Sequence, residues 1–272
     1  MEQALDLLLT WKAPVVIVWI VLFFLVERLR PAAHEAVAGA EEPRGAWQRV
    51  ARNLGLWLLN VGLSPLVVLP LSLWATQFHL GWRPDWWGGG LGLLLDLLLL
   101  DFLIYWWHRA NHELPFLWRF HEVHHLDRFL DTTTALRFHF GEILLSALAR
   151  AVIIALFDIP IASILLFEAL ILLAAIFHHS NLKLPAGLES MLAKAIITPS
   201  IHWVHHHAVR RDTDSNYGTV LSIWDPLFGT RSPTPRDLAM PIGVQNTAER
   251  TLPQLLLRPF VGERREEVKA VD

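Results

Sequence analysis

Long apolar blocks restrict what this chain can fold into more than any other feature. They lie at about residues 13–26, 54–73, 91–107 and 143–177. About 20 apolar residues, at a helical rise of about 1.5 Å each, cross the roughly 30 Å of hydrocarbon in a bilayer. In that medium every backbone N–H and C=O must be satisfied within the protein. We read the blocks as helices. The first is short and needs residues 7–11 to span. It ends in Glu27-Arg28-Leu29-Arg30 rather than at a small-residue cleavage site, and no basic segment precedes it. A retained anchor is therefore expected over a cleaved signal. The second block carries Pro65 and Pro70, so it either spans with a kink or re-enters on the same side. The last is long enough for a helical hairpin around Asp158-Ile159-Pro160. The fold class expected is all-α: a polytopic membrane bundle of about four spanning helices, with a histidine-rich helical cap.

Composition narrows the chemistry. The chain is 53% hydrophobic, which exceeds what a soluble domain needs. It has no cysteine, which excludes disulfides, thiolate metal sites, iron–sulfur clusters and cysteine nucleophiles. Net charge is −3 and no basic run points to nucleic acid. Residues 28–53 carry Arg28, Arg30, Arg44, Arg49 and Arg52, whereas the Trp- and Gly-rich link at 76–90 carries only Arg83. If the second block spans, the positive-inside rule puts 28–53 in the cytoplasm and returns the chain there at His108. The hairpin begins and ends on that same side. A re-entrant second block would change this parity.

The unusual residue is histidine. Of 14, 12 fall between His108 and His207. His108 and His112 follow the third block and share a helical face at i, i+4. His121, His124 and His125 share a face at i, i+3 and i+4, and their adjacent pair can be divided between two metals. His202, His205 and His206 repeat that spacing, followed by His207. His178 and His179 stand at the end of the hairpin, which would bring the third cluster beside the first two. Counting His108, His112, His121, His124, His125, His179, His202, His205 and His206 gives nine imidazoles. One transition-metal ion with open positions takes four or five, so nine suit two ions. Imidazole suits Zn, Cu, Fe and Ni, and ligand type alone does not name the metal. His34 and His79 read as polar interface residues.

Several other polar residues invite a role. Asp101 lies seven residues before His108, two helical turns away on one face. It either orients a ligand imidazole or snorkels to the interface. Asp96 and Glu168 lie in apolar blocks and should face the protein interior, lining a tunnel, pairing with Arg150 or bonding neighbouring helices. Asn216 and Asp225 read as turn or capping residues, or as supports of the metal site.

Residues 101–230 contain an ordered set of motifs. Asp101-Phe102-Leu103-Ile104-Tyr105-Trp106-Trp107-His108-Arg109 leads into His112. Leu117-Trp118 precedes His121-x-x-His124-His125. Then come Arg137-Phe138-His139, His179-Ser180-Asn181, and Thr198-Pro199 before His202-x-x-His205-His206. Last are Asn216-Tyr217-Gly218 and Trp224-Asp225-Pro226-Leu227-Phe228-Gly229-Thr230. Together these resemble the fatty acid hydroxylase superfamily, which includes sterol desaturases and sterol methyl oxidases. The resemblance implies a helical membrane domain capped by histidines around a non-haem di-iron centre. It implies O₂-dependent hydroxylation or desaturation of a membrane lipid, with two iron ions as cofactor and the nine histidines as ligands. It also implies an external electron donor: a cytochrome b5-like protein, a ferredoxin or a reductase. His139 sits where many members have a His-Pro step, here His139-Phe140. With His178 and His207 it is an additional candidate beside the ligand set. On this reading residues 1–100 form N-terminal membrane helices. Residues 101–230 form the catalytic region, including the 142–177 hairpin, and 231–272 a polar, peripheral tail with 252–260 on the membrane surface. The Ala/Leu/Arg usage suggests a bacterial cytoplasmic membrane; a eukaryotic member would be expected in the endoplasmic reticulum. The competing reading is a histidine-rich metal transporter or metal sensor. It is less favoured because the histidines gather at helix ends rather than at mid-membrane in several helices.

Overall fold

The computed structural model describes residues 2–34, 43–78, 80–247 and 250–261; His79 lies outside them. Among these residues the chain is helical, with only isolated bridges at Ile196–Leu221 and His207–Ile242. The first apolar block extends into one helix, α1 (Glu2–Leu29), which passes through Pro14. The second does not re-enter. α2 (Pro43–Leu63) continues through a π-helical turn at Ser64–Val68, which takes in Pro65, into α3 (Leu69–Ala75). Gly45–Ala75 is thus long and apolar enough to cross a membrane in one pass. So are α4 (Gly89–Glu113), α6 (Phe140–Phe157) and α7 (Ile161–His179). Asp158 adopts the left-handed conformation that closes α6, and Pro160 leads into α7.

Large apolar side chains point outward along these helices, among them Leu58, Leu66, Leu94, Leu98, Leu148 and Val152. In water such a belt would be an aggregation surface; in lipid it is solvated. The protein is an integral membrane protein. α1 lies along α7, with the Trp19 indole donating to the Leu173 carbonyl at 3.0 Å and Phe23 packed edge-on to Phe177.

Short helices form a cap at one end. Leu114, extended because Pro115 follows it, ends α4, and the proline opens α5 (Pro115–His125). Pro199 opens α9 (Pro199–His205) in the same way. Between them come α8 (Ala186–Leu192) and, after α9, α10 (Arg210–Thr213), α11 (Trp224–Phe228) and α12 (Leu252–Leu257). The stretch after residue 230 is less peripheral than expected. Met240 and Ile242 are buried against Phe129, Trp203 and Val204, and Leu255 packs against Leu56, Val123 and Leu126. Arg258 clamps both carboxylate oxygens of Glu122 at 2.8 and 2.9 Å. The 252–260 segment therefore docks on α5, with Leu257 and Phe260 left exposed.

A buried polar network ties the cap to the first two helices. Arg49 bonds Asp127 at 3.1 Å and also pairs with Asp131. Asn53 donates to Asp127 at 2.8 Å and accepts from Arg137 at 3.0 Å. Glu27 accepts from the backbone N–H groups of Thr132 and Asn181 at 2.9 and 3.0 Å. The opposite end has its own cluster: Asp96 accepts from Arg83, Trp87 and Ser163. Arg150 pairs instead with Glu168, at 3.0 Å.

Removing one partner of a buried ion pair strands the other charge, at a cost of about 3–5 kcal/mol. Arg49→Leu should therefore lower the thermal unfolding temperature of the detergent-solubilised protein sharply. An unchanged melting curve would show that the network contributes little to stability.

Candidate metal centre

Nine imidazoles meet beneath the cap in two groups. His108 and His112 on α4, His121 and His125 on α5, and His205 on α9 each offer a nitrogen within 4.8 Å of the others. His124 on α5, His179 at the end of α7, and His202 and His206 of α9 and its cap form the second group. The two H-x-x-H-H motifs are divided alike. In each, the i, i+4 pair serves one group and the middle histidine turns to the other, because those residues lie on adjacent faces of one helix. The His125 and His206 rings stack at 4.3 Å where the groups adjoin.

Hydrogen bonds set the ring tautomers. A carbonyl or carboxylate only accepts, so an imidazole nitrogen bonded to one must carry the proton. The Nδ1 atoms of His108, His124, His179 and His205 donate to the carbonyls of Tyr217, Arg137, Ala175 and Ser215, at 2.9, 3.1, 2.8 and 2.6 Å. His121 Nδ1 donates to the Glu142 carboxylate at 2.8 Å. In the neutral form of these five rings Nε2 is therefore a bare lone pair. His124 Nε2 and His179 Nε2 nonetheless approach to 3.1 Å with no proton to share. His202 Nε2 lies 2.9 Å from His179 Nε2 and 3.1 Å from His206 Nε2. In the other group the Nε2 atoms of His112, His121, His125 and His205 are buried with no hydrogen-bond partner.

Lone pairs gathered in a buried space repel unless a cation lies among them. Protonation offers no relief. Burial, reinforced by the neighbouring histidines, drives His124, His125, His202 and His206 well below the ordinary imidazole pKa. Burial takes His205 down to about 3, against the opposing pull of the Ser215 carbonyl. An ion bound at roughly 2.0–2.1 Å from each imidazole nitrogen holds adjacent nitrogens about 3 Å apart. The donor set thus fits a pair of transition-metal ions, and imidazole suits iron among others.

The additional candidates have other partners. His139 caps α6: its Nδ1 accepts from the Gly141 N–H at 2.9 Å and its Nε2 donates to the Leu256 carbonyl at 3.0 Å. His207 bonds Asp212 at 2.7 Å. His178 lies against His202, ring centroids 4.0 Å apart, but belongs to neither group. Asp101 neither reaches an imidazole nor snorkels. It is buried and accepts from the backbone N–H groups of Val220 and Leu221 and from the Trp224 indole. Asn216, in the left-handed conformation, bonds the Ile201 carbonyl and the Ser232 N–H. It stands between Ser215 and Tyr217, whose carbonyls receive His205 and His108. Asp225 holds the same turn through the N–H groups of Tyr217 and Gly218. These residues act on the imidazoles through the backbone. Glu142 escaped the sequence reading; its only signal was a carboxylate at the start of an apolar helix.

A cavity of about 320 Å³ leads from the imidazoles into the bundle. His108, His121, His124, His178, His179 and His202 line its inner end. Trp57, Ile104, Ile143, Ile171, Leu172 and Arg150 are among its other walls.

The model of the fatty acid hydroxylase family matches residues 93–230, about half of the chain. The chain belongs to the fatty acid hydroxylase family. It is 30% identical over 209 residues to an ornithine lipid hydroxylase, OlsE, of Rhizobium tropici, covering 76% of this chain and 62% of that protein. It is 33% identical over 195 residues to an alkylglycerol monooxygenase of Danio rerio, covering 68% and 39%. It is 29% identical over 197 residues to a cholesterol 25-hydroxylase-like protein of Danio rerio, covering 68% and 73%. The chain thus spans less than two thirds of the length of the first two. No solved structure matches.

Two outcomes test this geometry. Losing the partner that orients a ligand imidazole typically weakens metal binding about 10–100-fold, so Glu142→Ala should lower metal affinity by that factor in a chelator titration. The pH dependence has a definite sign. His205, about 3 when folded and 6.5 as an ordinary imidazole, takes up its proton first in the unfolded chain. Stability is full above about pH 6.5 and falls progressively between 6.5 and 3. Thermal melting of metal-stripped protein across that range should show the decline, and a flat profile would contradict the burial of these rings.

Proposed function

We propose that this chain is a lipid hydroxylase whose nine clustered histidines hold two iron ions. The observation that carries the reading is the contact of the bare Nε2 atoms of His124 and His179, with the Nε2 atoms of His202 and His206 crowded beside them. His108, His112, His121, His125 and His205 would hold one ion, and His124, His179, His202 and His206 the other. Iron in such a site supplies O₂-dependent oxidation of an unactivated C–H bond, giving an alcohol, or an alkene where two hydrogens are lost. Hydroxylation consumes two electrons and two protons beside O₂ and releases one water. The chain has no cysteine for an iron–sulfur cluster, so an external donor of the cytochrome b5, ferredoxin or reductase type is expected.

The protein's own groups perform the rest. The carbonyls of Tyr217, Arg137, Ala175 and Ser215, with the Glu142 carboxylate, keep the ligand tautomers fixed and the rings aimed inward. The mostly apolar cavity suits a hydrophobic substrate. The names of the ornithine lipid hydroxylase and alkylglycerol monooxygenase relatives favour a lipid. Arg28 and Arg49 lie at the histidine end and Arg83 at the other, which supports a cytoplasmic site. A transporter is less favoured: the imidazoles are fixed by hydrogen bonds and collected at helix ends.

Purified protein should contain about two irons per chain, consume O₂ when reduced, and add one oxygen atom, or remove two hydrogens, in lipid extracts analysed by mass spectrometry. His124→Ala should abolish turnover while membrane insertion persists. Full turnover by that variant would end the proposed ligand assignment.

A further inference from the structure

The cavity at the metal centre does not end in an apolar wall. Its lining on α6 runs through Ile143, Ser146 and Arg150, one helical face. Arg150 Nη1 bonds Glu168 Oε1 on α7 at 3.0 Å, and Arg150 Nε is buried without a partner. Glu168 lines a different cavity, of about 360 Å³, with Ser64, Pro65, Val68, Ser72 and Ile164. Each member of the ion pair thus faces one cavity. The second cavity adjoins the π-helical turn at Ser64–Val68, and turns of that type occur often at functional sites.

Position along the helix gives the scale. Arg150 is eight residues beyond Glu142, which bonds His121, so the pair lies about 12 Å along the axis from the metal centre. An ion pair at that depth in hydrocarbon is costly and is retained for a reason.

We propose that the Arg150–Glu168 pair partitions one continuous lipid tunnel and sets how far a hydrocarbon chain threads past the metal centre. This rests on the reading of the site as a lipid hydroxylase. Chains shorter than the first cavity fit with the pair closed. Longer ones must displace it, so the pair helps select chain length and the carbon presented for oxidation.

The test is native mass spectrometry of the metal-loaded protein in detergent with saturated fatty alcohols of increasing length. Wild-type affinity should rise about fourfold per methylene, the ~0.8 kcal/mol of a buried CH₂, and then level off at a cut-off length. In Arg150→Ala with Glu168→Ala the rise should continue beyond that cut-off, about fourfold tighter for each further methylene. Exchanging the charges, Arg150→Glu with Glu168→Arg, should restore the wild-type cut-off. Should the double alanine variant not fold, Arg150→Ala with Glu168→Gln carries the same expectation, since it removes the pair without stranding a charge. The same cut-off with and without the pair would overturn the partition and leave the hydroxylase reading intact. No binding of any chain by the wild type would overturn the tunnel and count against the lipid reading as well.

Discussion

Between His124 and His179 two imidazole nitrogens face each other at 3.1 Å, and each ring has already given its proton to a backbone carbonyl. That contact is unfavourable by itself, and the surrounding fold holds it in place. Leaving a buried polar atom unsatisfied costs about 1–3 kcal/mol, and here such atoms are gathered by the same short helices. Against a fold stability of only about 5–15 kcal/mol, such a cluster favours the binding of a compensating cation. The donor set and the cap are in this sense one structure: ions held among the imidazoles, as proposed, would relieve the repulsion that the cap creates.

The cap in turn depends on polar contacts that look unrelated to metal. Arg137 donates through Nε to the Val123 carbonyl, presents its own carbonyl to His124, and bonds Asn53 on α2. Asn53 and Arg49 anchor Asp127 and Asp131. On the other side Asp101 and Asp225 grip the 217–224 segment, so that Ser215 and Tyr217 turn their carbonyls to His205 and His108. Buried carboxylates that touch no imidazole thus fix imidazole orientation at one remove. Such supports matter because a metal site loses affinity when its ligands are free to turn.

Placed at the end of the spanning bundle, the centre meets both solvents. Its polar supports lie in the cap, and its cavity runs down among apolar helices. On the proposed function this arrangement would let a hydrophobic molecule reach the centre without crossing water, and it accords with membership of the fatty acid hydroxylase family.

Much of this was legible in the residues alone. The apolar blocks dictated spanning helices because hydrocarbon offers the backbone no partner. The i, i+3, i+4 spacing of His121, His124 and His125 dictated that they share one helical surface, since helix geometry is local. The hairpin at Asp158–Pro160 followed from a turn signal in an apolar run. Other features needed the tertiary structure. Whether Pro65 and Pro70 would turn the chain back or be absorbed, the first in a π-helical turn and the second at the start of α3, depended on packing around them. The roles of Asp101, Asn216 and Glu142 depended on which distant backbone or imidazole came within about 3 Å, the reach of a hydrogen bond. His139 and His207 were only additional candidates in sequence, and in the structure a local cap and a carboxylate claim their nitrogens. Periodicity fixes which face a side chain occupies; only the meeting of remote segments decides what that face touches.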